Sequence, residues 1–210
     1  MYKRQLYNIG FLHLIEGDTK RSREIHERSL TIFGQLDDDL NVAYTKWGLA
    51  MSDLRDRELD EAARLAREAL ETFEAHQDWY GKSLGDFVLM QVARIAGNYD
   101  QVLALLQDGL EEPESQKDPA TMSSLLEIQA NSEILIGRPH RGLKLAAAAA
   151  QMRTEYGGGA PPPLLDLDDP RALVAGVLSE ETIESFWAEG QQMSFGEILA
   201  YAQKDVESDE

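Results

Sequence analysis

The sequence predicts an all-α chain, an α-solenoid of four helical hairpins closed by a short helical C-terminal cap. Three observations carry this. The sequence aligns with itself four times without a gap at a shift of forty residues. Each unit has apolar residues at three- and four-residue spacing on both sides of a central turn. The repetition stops at a Gly/Pro-rich stretch, Tyr156-Gly-Gly-Gly-Ala-Pro-Pro-Pro163, where a helix cannot continue.

The columns of the repeat are physically readable. One is Gly17, Arg57, Gly97, Gly137, at the turn between the two helices of each unit, where a residue tolerant of positive φ is favoured. A second is aliphatic: Ile25, Leu65, Leu105, Leu145. A third is small: Ser29, Ala69, Gly109, Ala149. Small columns let helices approach, and aliphatic columns fill the space between neighbours. The clearest amphipathic helix runs from Leu59 to Phe73, with Ala62, Ala63, Leu65, Ala66, Ala69 and Leu70 on one side. A single hairpin cannot bury that side alone, so the units are expected to stack. They run over 3–36, 38–77, 78–117 and 118–157, joined by polar links, the last ending in the cap-like Asp118-Pro119.

After a 157–168 linker, three short helices are expected over 169–204. Asp169-Pro170 caps one ending near Leu178, Ser179 caps one carrying Ile183, Phe186 and Trp187, and Ser194-Phe-Gly-Glu197 is a capping box opening the third. Exposure of Phe186 and Trp187 would be costly, so the cap is expected to pack on the fourth unit. Residues 205–210 are expected to fray.

Composition narrows the function. The chain has 210 residues, a net charge of −18 and no cysteine. Disulfides and cysteine nucleophiles are therefore excluded. An acidic surface repels phosphate backbones, so direct nucleic-acid binding is not expected. Residues from Gly157 onward hold twelve acidic side chains against only Arg171 and Lys204. No apolar run nears the roughly 20 residues that span a bilayer, and the N-terminal residues lack the apolar core of a signal peptide. The expected location is cytoplasmic, with no membrane association.

The segments Tyr7-Asn-Ile-Gly-Phe-Leu, Glu16-Gly-Asp18 and Ser29-Leu30 resemble the tetratricopeptide repeat. So do Asp60-Glu-Ala-Ala63 with Ala69-Leu70, and Gly97-Asn-Tyr-Asp100. The resemblance implies a right-handed superhelix. The period of forty exceeds that family's usual length of about 34, as in a longer-helix variant. HEAT and armadillo arrays share a period near forty, but the inter-helix glycine and the small columns favour the tetratricopeptide reading. The tail, Leu143-Lys-Leu-Ala-Ala-Ala-Ala-Ala-Gln-Met-Arg153 and then Trp187-Ala-Glu-Gly190-Gln-Gln-Met193-Ser194, is similar to the C-terminal repeat region of large bacterial signalling ATPases and transcriptional regulators. Ser179 and Ile183 depart from that pattern, which has glycine and phenylalanine there. The resemblance implies a regulatory or sensory platform, either a C-terminal region of such a protein or a stand-alone relative.

In such an array the first helix of each unit lines the concave face. One stripe there reads Tyr7, Trp47, Phe87, Glu127, a second Phe11, Met51, Gln91, Asn131, and a third Leu14, Leu54, Arg94, Ile134. With Tyr44, these make an apolar groove for an amphipathic helix or extended peptide, unless the aromatics fill the core between units. A second reading is a small-ligand or peptide-signal sensor whose concave pocket is lined by Tyr7, Phe11, Trp47 and Arg94. The clamp for C-terminal carboxylates found in some tetratricopeptide proteins uses lysine, arginine and asparagine where aromatics stand here. The first unit begins near residue 1 without a polar capping helix, which suggests further upstream repeats, a partner or a homodimer through that end.

No catalytic constellation is expected. His13, His26, His76 and His140 lack metal-ligand spacing. There is neither a Gly-x-Ser-x-Gly elbow nor a phosphate-binding Gly-x-x-x-x-Gly-Lys-Ser/Thr loop. The chain is expected to need no cofactor and no metal, and not to be an enzyme.

Overall fold

Helices begin every twenty residues through most of the computed structural model. It describes residues 2–111, 119–157 and 162–204, with side chains left undescribed at 2–7, 108–111, 120–121 and 162–163. All elements among the described residues are α-helices. They are α1 (Tyr2–Glu16), α2 (Thr19–Gly34), α3 (Asp39–Arg55), α4 (Leu59–Ala75), α5 (Trp79–Ile95), α6 (Tyr99–Glu111), α7 (Pro119–Leu135) and α8 (Pro139–Tyr156), then the tail helices α9 (Pro162–Leu165), α10 (Pro170–Val174), α11 (Glu180–Gln191) and α12 (Phe195–Gln203). The chain divides into two compact units, residues 1–96 and 97–210, with the division at the Gly97 turn inside the third forty-residue unit.

The joints explain the rhythm. Gly17, Gly97 and Gly137 have φ of 87°, 75° and 89°, and Asp37, Arg57 and Gln77 take φ of 51°, 64° and 54° at the matching positions. After Gly17, Asp37, Arg57, Gln77 and Gly137 the next residue closes the preceding helix by a bond to the carbonyl five residues back. Asp18 N–H donates to the His13 carbonyl at 2.9 Å and Asp78 N–H to that of Phe73 at 2.8 Å. The same aspartates then cap the next helix, accepting from the Arg21 and Gly81 amides at 3.0 Å. One residue ends one helix and starts another, so the loops stay short.

In the first unit each helix packs on the next, and α1 and α5 also touch α3. Residues Trp47 to Leu54 of α3 are all buried, which covers more than two turns and leaves that stretch no open side. Close approach comes from glycine. The His26 ring of α2 fills the room left by two absent Cβ atoms. A Cβ at Gly10 would lie 2.7 Å from that ring, and one at Gly48 2.4 Å. His26 Nδ1 is 3.2 Å from Ser22 Oγ, which is 3.1 Å from Ser52 Oγ. Arg23 pairs with the buried Asp53 carboxylate. Burial pushes that carboxyl above its ordinary range, against the hydrogen bond from Arg23 that pulls it down.

In the second unit α7 and α8 form the main pair, and Leu145 to Ala149 of α8 are buried. α10 packs on α7 and α8, α11 on α8, and α12 on α6 and α8. Val174 and Ile183 join Ile134 and Leu143 in one cluster, with Phe186 and Trp187 against it. A Cβ at Gly190 would sit 2.3 Å from the Lys144 carbonyl, so only glycine lets α11 lie this close to α8. Arg141, itself buried, donates to the carbonyls of Tyr201 and Ala202 at 2.9 Å and of Lys204 at 3.2 Å. The buried Glu133 balances its charge at 2.8 Å. A cation thus sits on the C-terminal carbonyls of α12, where Gln129 Nε2 also donates to that of Ala202 at 2.9 Å.

Two expectations about the tail need correction. The 157–168 stretch contains a helical turn, α9, because burial of Leu164 and Leu165 holds it on the unit. The helix beginning at Pro170 stops at Val174 rather than near Leu178, since Ala175 to Val177 turn before Ser179 caps α11. The Asp118 cap and the fraying of 205–210 fall outside the described residues.

Candidate functional site

The residues expected to form a groove fall in both units, and each unit treats them differently. In the first, Leu14, Trp47, Met51, Phe87 and Gln91 are buried. Trp47 packs on Phe11 with ring centroids 5.5 Å apart, and its indole N–H donates to the Leu84 carbonyl at 3.1 Å. Gln91 accepts from Arg94 Nε at 2.7 Å. This column ties α1, α3 and α5 together. Tyr44 is partly exposed, meets Phe73 edge-on with centroids 4.9 Å apart, and donates its hydroxyl to Asp78 at 2.6 Å. Burial, then that bond, raises the phenol well above its ordinary value. Of the groove residues in this unit, Phe11, Tyr44 and Arg94 keep partial exposure. The Tyr7 side chain lies outside the described residues.

Exposed apolar surface sits elsewhere. On α1, Ile9 is 42% and Leu12 58% exposed, next to the half-buried Phe11. At the start of α5, Trp79 and Tyr80 are 49% and 62% exposed. Sequence reasoning includes Ile9 and Leu12 only in the repeat-like segment Tyr7-Asn-Ile-Gly-Phe-Leu, and gives Trp79 and Tyr80 no role. A weak signal exists, since Leu12 is apolar where the aligned position of the next unit holds Ser52.

In the second unit, Glu127 and Asn131 of α7 reach one cavity of about 280 Å³. Ala146 and Ala150 of α8 form a second wall. The tail closes it with Leu165, Leu167, Asp168, Asp169, Pro170 and Trp187. Both Glu127 oxygens are taken by Arg153, at 3.0 Å from Nε and 2.6 Å from the terminal nitrogen. Asn131 donates through Nδ2 to the Asp168 carbonyl at 3.4 Å, while its Oδ1 has no hydrogen-bond partner. No spacing in the sequence announces this cavity, because its walls lie far apart along the chain.

Among the described residues no group of three or more His, Cys, Asp or Glu side chains could hold a metal ion. None of the described helices is long and apolar enough to cross a membrane. The tetratricopeptide repeat family model matches residues 3–75, the stretch from α1 through α4. No curated protein and no solved structure matches the chain. Tetratricopeptide domains are non-catalytic scaffolds for protein–protein interaction. The family match, the stacked hairpins and the left-handed glycine joint agree over the same span, and residues 3–75 are a tetratricopeptide repeat region.

Proposed function

We propose that this repeat region is the regulatory or sensory platform of a signalling or transcription-regulating protein, and that it holds a helix or extended peptide of a partner against α1. The observation that carries the reading is the exposure of Ile9 and Leu12, one turn apart on α1, beside the edge of Phe11. Aliphatic side chains at three-residue spacing are what an amphipathic partner helix covers. Ile9 and Leu12 are the exposed large apolar side chains among the described residues of α1. A net charge of −18 favours a partner with basic flanks. A second copy of the chain is the other candidate occupant.

The test is capture by wild-type protein and by an Ile9→Glu, Leu12→Glu double variant, followed by reconstitution with the purified captured protein. Binding that the double variant loses, while keeping its helical spectrum, supports the reading. A reconstituted partner that binds the variant equally well removes it. Sedimentation across concentration decides the second copy, since wild-type monomer throughout excludes the homodimer.

A second reading, a small-ligand sensor, is favoured by the cavity that the tail closes over α7 and α8.

A further inference from the structure

We infer that the cavity of the second unit takes a small organic cation, an ammonium or guanidinium group on an apolar body. The inference deepens the sensor reading and rests on it, but does not depend on a partner at α1.

Size comes first. An apolar cavity of about 150 Å³ holds a benzene ring, so about 280 Å³ admits a ring with a short arm. Ala146, Ala150, Leu165, Leu167 and Trp187 supply an apolar wall for that body.

The polar end is defined by Asn131. The side chain is 2% exposed and lines the cavity. Its Nδ2 faces a backbone carbonyl, which can only accept, so the other atom is the amide oxygen. That oxygen has no donor. A buried acceptor without a partner is costly, and a ligand N–H would satisfy it once the amide turns that oxygen toward the cavity.

Charge then selects a cation. Residues 97–210 hold 21 acidic side chains against 7 basic ones. Asp168 and Asp169 stand exposed at the cavity, and Glu127 lies in its wall. The two nearby cations are already engaged, Arg153 by Glu127 and Arg171 by Glu184 at 2.6 Å. The Trp187 indole already carries one cation, with the Arg171 guanidinium 4.3 Å from its ring centroid. The exposed carboxylates of Asp168 and Asp169 disfavour an anion at the entrance.

The experiment titrates the full chain with 2-phenylethylammonium, its neutral analogue 2-phenylethanol and its anionic analogue 3-phenylpropanoate, following heat and the change in tryptophan fluorescence. The expected result is binding of the ammonium at least tenfold tighter than of either analogue. Asn131→Leu is expected to weaken it at least tenfold without lowering the melting temperature, and Ala150→Leu, which fills the cavity, to abolish it. A blocked lysine, Nα-acetyl-lysine N-methylamide, distinguishes the source: tighter binding of this probe assigns the cation to a partner's side chain, weaker binding to a free amine. Equal binding of all three phenyl probes that Ala150→Leu removes overturns the cation while leaving a sensor cavity standing. Binding indifferent to both substitutions, or no binding by any probe, overturns the inference.

Discussion

At the scale of single residues, the first unit is held by side chains that fit only because others are missing. His26 lies between Gly10 and Gly48, so its ring has no side toward which to retreat. Replacing glycine by alanine inside a helix ordinarily gains about 0.5–1 kcal/mol. Overpacking a filled site costs about 1–3 kcal/mol, and with both sides of the ring blocked the overpacking cost wins. Gly48→Ala is therefore expected to destabilise by about 1–2 kcal/mol in denaturant unfolding, and most of the loss should vanish in the Gly48→Ala, His26→Ala double variant. Losses that simply add would show that the ring is not the obstacle. The opposite change is expected at Gln77, which holds φ of 54° at an exposed joint. A non-glycine residue there costs about 1–2 kcal/mol, so Gln77→Gly should raise stability by about 0.5–1 kcal/mol after glycine's own entropy loss. Unchanged or lower stability would mean that the joint is not strained. The glycine joints are legible as a column in the sequence. The His26 wedge is not, because Ala66, Leu106 and Ala146 occupy the matching positions and nothing in the repeat marks a ring.

Among elements, α12 depends on two end devices. At its start, Glu197 accepts the Ser194 N–H at 2.8 Å and its hydroxyl at 2.6 Å, completing the capping box. The hydroxyl, then the backbone bond, holds the carboxyl below the ordinary glutamate range. A depressed folded value means that the contribution is fully present above the unfolded value of about 4.3 and lost as pH falls through the folded one. Amide exchange in the first turn of α12 should therefore accelerate in that acidic window in the wild type, and Glu197→Gln should flatten the response. A wild-type profile that matches the variant's would show that the capping carboxylate does not hold the turn. At the other end, Arg141→Ala strands Glu133, leaving it only the partly exposed Arg138 at 3.2 Å. Breaking a buried pair costs about 3–5 kcal/mol, so a loss of about 3 kcal/mol is expected. Arg141→Met with Glu133→Leu should recover most of it, as replacing both partners by apolar residues often does. The short tail helices are readable from their caps, whereas the Arg141 clamp joins residues about sixty apart and has no local signature.

For the molecule as a whole, contacts divide at the Gly97 turn rather than between forty-residue repeats. The unit over 1–96 has its own nearest-neighbour packing from α1 to α5 and includes the whole family match. Repeat arrays draw their stability from adjacent interfaces, so residues 1–96 produced alone are expected to give a helical spectrum and a cooperative thermal transition. A coil spectrum would show that the first unit cannot stand by itself. The same division separates the two surfaces for which binding is proposed, the aliphatic face of α1 in one unit and the tail-closed cavity in the other.

The repeat, the helical class and the turns between the repeated helices were determined by sequence alone, because they follow from periodicity and from the few residue types that tolerate left-handed joints or cap a helix. A shift of twenty also reveals the cap column Asp18, Asp38, Glu58, Asp78. Accessibility was decided only in three dimensions. Trp47 and Phe87 occupy a stripe that periodicity aims at a groove, yet α3 is enclosed by four other helices and both rings are buried. Asn131 becomes a cavity wall only because Leu165, Asp168 and Trp187 return to meet it from the tail. Periodicity tells which side of a helix is apolar; what covers that side is a property of contacts between distant segments.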